Sequence, residues 1–176
     1  MIDVAELYRA EARGLHRFVL FLSGDPALAD DLVSETFIRL WTARDRVDLT
    51  TVRGYLFAIA RNLFLQQRRR RPAAALDEAM ADRLADPEAG PHGRAVAREE
   101  LRATLAALQT LPELDRAALL MRADDGLAYE EIAAALGLAA GAVRVKVHRA
   151  RLRLAAARGG TTPREVTAGS HLEEQP

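Results

Sequence analysis

Residues 127–151 read LAYEEIAAALGLAAGAVRVKVHRAR and predict two short helices joined by a tight turn. The first helix has an apolar face of Ile132, Ala133 and Leu136 at helical spacing. Gly137 supplies the left-handed backbone conformation that closes a helix, and the second helix begins after a three-residue turn. Two helices joined by a short turn that contains glycine are typical of the helix-turn-helix motif.

The second helix of this stretch has an apolar stripe on one side and a basic surface on the other. The stripe is made of residues at helical intervals: Val143, Val147, Ala150 and Leu154. Three side chains point away from it, flanked by basic ones: Val145, His148 and Arg149, with Arg144, Lys146, Arg151 and Arg153. Residues 139–158 hold six Lys or Arg and no acid. This pattern predicts a helix that enters a DNA major groove, in preference to a solvated basic face on an ordinary helical hairpin.

The composition favours an all-α protein. The 176 residues are rich in Ala and Leu and poor in β-branched and aromatic residues, and they suffice for one or two small domains. The formal net charge is zero, but the charges are segregated. Residues 54–76 hold five Arg and no acid, whereas residues 77–100 hold seven acids against three bases. The neutral total therefore conceals two basic surfaces suited to a polyanion.

Other classes of site and location are disfavoured. The chain has no Cys, so it has neither a disulfide nor a thiolate metal site, and its four His are scattered without ligand spacing. We expect no metal and no cofactor. No apolar run approaches the ~20 residues that a membrane span needs, so we expect no membrane insertion and a cytoplasmic location.

Helical periodicity divides the chain into four parts. We predict a helical domain over 1–71, a flexible acidic linker over 72–93, a second helical domain over 94–158 and a disordered tail over 159–176. The first domain should contain helices over 3–22, 26–43 and 52–71, although Gly14 is a candidate break in the first of them. Asp25 is the expected N-cap of the second helix, whose inward residues should be Leu28, Leu32, Val33, Phe37, Leu40 and Trp41.

The chain resembles the extracytoplasmic-function sigma factors, the compact two-domain promoter-specificity subunits of bacterial RNA polymerase. Four stretches in the family's order carry the resemblance: ADDLVSETFIRLW (29–41), GYLFAIARNLFLQQRRRR (54–71), LPELDRAALLMRADDGLAYEEIAAALGL (111–138) and GAVRVKVHRARLRL (141–154). The resemblance implies two small helical domains, a sigma-2-like helical bundle and a sigma-4-like helix-turn-helix domain, joined by a flexible linker. It also implies a factor that performs no catalysis.

For the first domain, the resemblance implies both polymerase docking and recognition of the promoter −10 element. The outward face of the 26–43 helix would dock on the clamp helices of the largest polymerase subunit, through Asp31, Ser34, Glu35, Ile38 and Arg39. The family usually has Gln where Ser34 stands. Melting and base capture would involve the loop over 46–53 and the following helix: Arg53, Tyr55, Arg61, Asn62, Arg68, Arg69, Arg70 and Arg71. Cationic side chains beside exposed aromatic rings suit a DNA strand that is being opened.

For the second domain, the resemblance implies readout of the −35 element. The contacting residues would be Arg144, Val145, Lys146, His148, Arg149 and Arg151. Arg can bond guanine O6 and N7 together, whereas Val145 offers only a methyl contact to thymine at a position where the family often has a hydroxyl. Ala128 replaces the usual Ser before the 129–136 helix, so a side-chain N-cap is missing there.

The partners implied are core RNA polymerase (clamp helices and flap), promoter DNA and an anti-sigma factor. The linker acids are suited to a basic path in polymerase: Asp77, Glu78, Asp82, Asp86 and Glu88. An alternative function is a helix-turn-helix regulator that binds duplex DNA without replacing the primary sigma factor, but it leaves the basic helix end at 61–71 unexplained. An enzyme with a C-terminal DNA-binding helix pair is disfavoured, because none of the three Ser lies beside an activating base.

Overall fold

A computed structural model describes residues 3–43, 45, 52–70, 90–123 and 126–157. Helices account for nearly all of this described part, and it contains no strand. In chain order the helices are α1 (Val4–Ser23), α2 (Pro26–Ala43), α3 (Val52–Arg68), α4 (Pro91–Gln109), α5 (Glu113–Ala123), α6 (Tyr129–Leu136) and α7 (Ala140–Ala157). The all-α prediction is confirmed.

Local capping interactions set the bounds of α1 and α2. Asp3 Oδ1 accepts hydrogen bonds from the backbone N–H groups of Ala5 (2.9 Å) and Glu6 (3.1 Å) and so caps α1. Gly24 ends that helix in the left-handed conformation, with φ of 71°. Asp25 Oδ1 then accepts from Leu28 N at 3.1 Å, as predicted for the N-cap of α2. Gly14 does not interrupt α1.

Helices α1, α2 and α3 form a first helical unit around a shared apolar core. Phe18 of α1 and Phe57 of α3 meet edge to face, with ring centroids 4.9 Å apart, and both are fully buried. Five apolar residues of α3 are buried: Leu56, Ile59, Ala60, Leu63 and Phe64. The prediction for Trp41 is wrong, because its side chain is 55% exposed. Its neighbour Leu40 takes the inward position, and one residue further along the helix points about 100° away.

Helices α4 to α7 form a second helical unit that contains the predicted helix-turn-helix. Gly137 closes α6 with φ of 66°, and its left-handed conformation turns the chain into α7. Val143, Val147 and Ala150 of α7 are buried, as their spacing predicted. Helix α4 begins at Pro91, three residues before the predicted domain boundary at 94, because proline is well suited to the first turn of a helix.

The two helical units pack against each other. One continuous cluster of buried apolar side chains runs from α1 through α3 into α5, α6 and α7. Gln109 Nε2 at the end of α4 donates to the carbonyl oxygen of Phe21 in α1 at 3.2 Å. Helix α3 lies along α6, where Gly54 brings the two backbones close to each other near Glu131. The predicted linker up to residue 89, the tail, Arg71 and most of the 46–53 loop lie outside the described residues.

Candidate nucleic-acid interface

The outward surface of α7 presents a mixed cationic and apolar strip. Val145 and Leu152 are each 59% exposed along its crest, and His148 lies exposed between them. On one flank Arg151 is exposed, and the guanidinium of Arg144 lies over the Tyr129 ring at 5.0 Å. Arg144 Nη2 also pairs with Glu130 Oε1 at 3.2 Å, a contact open to solvent. Because that ion pair is exposed, Arg144 remains exchangeable with a phosphate or base edge.

The opposite flank of α7 is held by one buried carboxylate. Asp115, in the first turn of α5, has a side chain only 3% exposed. Its Oδ1 lies 3.2 Å from Lys146 Nζ, and its Oδ2 lies 3.2 Å from Arg149 Nε and 4.0 Å from Arg153 Nη1. Asp115 was not among the predicted site residues. Its signal in the sequence was an acid in the first turn of α5, the second helix before the basic helix α7.

Helices α2 and α3 form a second candidate surface around Asn62. Asn62 is exposed and lines a concavity with a volume of about 410 Å³. The other lining side chains supply charge, an aromatic ring, an amide and aliphatic walls: Arg39, Tyr55, Ile59, Leu65, Gln66 and Arg69. Tyr55 is 39% exposed, so part of its ring is available for stacking. Ile59, Leu65 and Gln66 were not among the predicted site residues, although they follow from the helical register of Asn62.

Arg61 is engaged across the boundary between the two helical units. Its Nε and Nη2 donate to Oε1 and Oε2 of Glu113, each at 2.7 Å, in a bidentate ion pair. Both side chains are largely buried, at 14% and 12% exposure. Arg61 therefore faces α5, and not solvent, in this arrangement.

A buried cation lies beside this ion pair. Arg116 is 4% exposed, and this burial lowers the pKa of its guanidinium, while the nearby Glu113 carboxylate acts in the opposite direction. Arg116 Nη1 donates to Gln109 and to the carbonyl oxygen of Leu108. Glu113 thus compensates two cations at the boundary, one from each helical unit.

The remaining predicted cations of the first helical unit lie toward the end of α3. Arg69 and Arg70 are exposed, and Arg68 lies over the Phe64 ring at 5.7 Å. Arg53 is at the start of the helix, where its Nε donates to Glu11 of α1 at 3.0 Å. The structure therefore separates Arg53 from the basic C-terminal end of α3, which brings together only Arg68, Arg69 and Arg70 within the described residues.

The outward face of α2 matches its predicted composition. Asp31, Ser34, Ile38 and Arg39 are exposed, and Ile38 is 59% exposed. Glu35 pairs with Arg39 one helical turn away, through an Nε–Oε1 contact of 2.9 Å. An exposed isoleucine ringed by charged groups is a small apolar contact site.

The described part of the chain has neither a metal-binding cluster nor a membrane-spanning helix. It holds no group of three or more His, Cys, Asp or Glu side chains arranged to bind a metal ion. None of the helices described has the length and apolar character needed to cross a bilayer.

The fold and these surfaces define an all-helical, two-unit protein with a helix-turn-helix and a second basic helix end. Family models agree with this class: the Sigma-70 region 2 model matches residues 7–73, and the Sigma-70 region 4 model matches residues 101–154. The chain belongs to the extracytoplasmic-function (ECF) sigma factors of RNA polymerase, which are promoter-specific transcription initiation factors. The predicted family and class of function are confirmed. A regulator with only a helix-turn-helix does not account for the region 2 match.

Relatives among characterised proteins include two ECF RNA polymerase sigma factors. SigE of Mycolicibacterium smegmatis is 38% identical over 85% of this chain and 59% of its own length. EcfG of Rhodopseudomonas palustris is 36% identical over 84% of this chain and 80% of its own length. The chain thus spans about three fifths of SigE but most of EcfG.

Two solved structures share the fold. One is the sigma factor RpoE of Bartonella quintana in complex with the anti-sigma factor NepR, with a TM-score of 0.73 at 24% identity, covering 89% of this chain and 96% of that chain. The other is CnrH in complex with the cytosolic domain of CnrY, with a TM-score of 0.66 at 25% identity, covering 87% and 85%.

Proposed function

We propose that this chain binds core RNA polymerase, recognises promoter −10 and −35 elements and directs transcription initiation. The observation that carries the proposal is the presence, in one chain, of two helical units with a separate exposed cationic surface on each. The first surface is the Asn62 concavity with the basic end of α3, and the second is the strip along α7.

The Asn62 concavity is proposed as the site that captures a base from the −10 element. Proteins that extrude a base hold it by hydrogen bonds to its edge and by stacking on aromatic or apolar side chains. Asn62 and Gln66 provide amide donors and acceptors, and Tyr55 provides a ring face. Arg69 and Arg70 then hold the phosphates while the strands separate.

The strip along α7 is proposed as the reader of the −35 duplex. Val145 lies at its crest, where it contacts a thymine methyl, while Arg144 and Arg149 reach base edges from either flank. His148, Lys146 and Arg151 contribute polar or phosphate contacts. Phosphate contacts set the register of the helix, and the base contacts supply the sequence preference.

The outward face of α2 is proposed as the polymerase-docking surface. Ile38 would be the apolar anchor, and Asp31, Ser34, Glu35 and Arg39 would form a polar rim on the clamp helices. The second unit would contact the flap. The acidic segment over 72–93 would then connect the two docked units, and the tail beyond 158 would take no part.

The packed arrangement of the two units is proposed as a closed form that opens on polymerase. Contact of Arg61 with promoter DNA requires release from Glu113, and separation of α3 from α5 would provide that release. A partner that binds both units in this arrangement would hold the factor inactive, so we propose an anti-sigma factor as regulator. The solved relative bound to an anti-sigma factor supports this proposal.

We further propose that the chain performs no catalysis and acts in the cytoplasm, where promoter DNA and polymerase are found. Run-off transcription with core polymerase and a promoter library tests the whole proposal. The expected result is specific transcripts from promoters that share −10 and −35 sequences. Absence of any specific transcript across the library would refute it.

A further inference from the structure

Asp115 contacts three cations of the recognition helix at once, and the two nearest are proposed DNA contacts. Lys146, Arg149 and Arg153 recur at intervals of three and four residues, which places them along one side of α7. That side lies against the first turn of α5, where the Asp115 carboxylate is buried. The three cations therefore share one buried anion, and the position of that anion limits how far each cation extends from α7.

The exposure of each cation separates their roles. Lys146 is 20% exposed and donates to Asp115 Oδ1, so its positive charge is largely compensated by that carboxylate. Arg149 is 48% exposed, and it faces the carboxylate through Nε. This contact holds the Nε end of the guanidinium. The two terminal nitrogens are the ones needed for a bidentate contact with guanine O6 and N7. Arg149 is thus anchored at Nε, while nearly half of its side chain is exposed.

We propose that Asp115 is a positioning residue for −35 recognition, which orients Arg149 toward a base edge and limits how much cationic charge α7 offers to phosphates. This inference rests on the proposed reading of the −35 duplex by α7. Asp115 itself contacts no DNA in this scheme. Its two effects have opposite signs, because it strengthens sequence discrimination and weakens sequence-independent binding.

Asp115→Asn tests the inference, since it keeps the side-chain shape and removes the charge. With the full chain bound to core polymerase, binding to −35 duplexes changed one base pair at a time should lose about tenfold in discrimination at one position. Binding to duplex lacking the element should become tighter, and the log–log dependence on salt should steepen by about one to two, because cations are released toward phosphates. A uniform loss of affinity with discrimination unchanged would overturn the proposal.

Two further variants separate positioning from general structure. Asp115→Glu keeps the charge but displaces it by one methylene, so discrimination should fall while the salt dependence stays at the parent value. Arg153→Gln breaks the longer ion pair with the same carboxylate, at a residue given no DNA contact, and leaves the Arg149 contact intact, so discrimination should be unchanged. If Arg153→Gln reduces discrimination as much as Asp115→Asn does, the orientation of Arg149 is not the cause and the proposal fails.

The Arg149→Ala background distinguishes failure of this inference from failure of the proposed function. If Arg149→Ala leaves discrimination unchanged at every base pair, the base-reading role of Arg149 is wrong. If Arg149→Ala loses discrimination at one pair and Asp115→Asn does not, only the positioning role of Asp115 is wrong. The expected result is that Asp115→Asn has no further effect on discrimination when Arg149 is already absent.

Discussion

Replacement of Glu113 by Gln should shift the two helical units from the packed toward the separated arrangement. The change keeps the shape of the side chain but removes the negative charge of the carboxylate, whose two oxygens accept hydrogen bonds from Arg61 Nε and Nη2 at 2.7 Å. It also removes the negative charge beside the buried Arg116. Because the ion pair joins α3 to α5, its loss weakens the contact between the units more than the folding of either.

The expected magnitude follows from the burial of the pair. Removing one partner of a buried ion pair costs about 3–5 kcal/mol. The side chains of Arg61 and Glu113 are 14% and 12% exposed, so Arg61 retains some access to water. The amide of a Gln at position 113 can still accept one hydrogen bond. We therefore expect a cost of about 2–3 kcal/mol, at or just below the lower limit of the range for a buried pair. At about 1.4 kcal/mol per factor of ten, the ratio of packed to separated forms falls roughly 30- to 150-fold.

The assay is the distance between two dyes on the free protein. The chain has no Cys, so cysteines introduced at the exposed Ala10 of α1 and Ala156 of α7 label these positions alone. Energy transfer should fall in Glu113→Gln, and also in Arg61→Gln, which removes the other partner of the pair and leaves the negative charge beside Arg116 in place. The matched control is Glu130→Gln, which breaks an exposed ion pair inside the second unit and should change the distance little. Unchanged energy transfer in both Glu113→Gln and Arg61→Gln would show that this ion pair does not hold the units together.

The remaining predictions concern the proposed surfaces. Arg149→Ala should weaken −35 binding by ~1–3 kcal/mol and relax preference at one base pair, whereas Arg70→Ala should weaken binding about uniformly and flatten the salt dependence, both measured by promoter titration. Asn62→Ala should bind core polymerase normally but open promoters poorly by permanganate footprinting, with recovery on a template pre-melted at −10; normal opening would remove the base-capture role. Glu35→Lys should instead lose core binding in a direct binding assay, without rescue by that template. Deletion of 159–176 should leave polymerase affinity and transcription unchanged, and a drop of more than about tenfold would show that the tail folds on a partner.

Local signals predicted the helices well, because caps and apolar periodicity act within one or two turns. Asp25 and Gly137 bound their helices as expected, and the buried stripe of α7 follows its spacing. Trp41 was misassigned because Leu40 and Trp41 are adjacent apolar residues at one edge of a helical face. Only the packing of neighbouring helices determines which of two such residues is buried.

Long-range ion-pair partners could not be predicted from the sequence. Arg61 lies 52 residues from Glu113, and Lys146 lies 31 residues from Asp115. A chain with as many acids as bases offers many possible partners, and the choice depends on how the helices meet. Four of the predicted DNA contacts have partners that only the tertiary structure brings to them: Arg53, Arg61, Lys146 and Arg149.

The continuous apolar core gives the proposed opening of this protein a dependence on temperature. Separating the first from the second unit exposes to water apolar side chains that the closed form buries, among them those where α3 meets α6. Exposure of apolar surface raises the heat capacity, so the opening should carry a positive heat-capacity change. Its free energy is then a curved function of temperature, and the apolar part of the closure weakens as the protein is cooled. The equilibrium between packed and separated units should therefore depend on temperature, because it depends on how water hydrates the apolar surface that separation exposes.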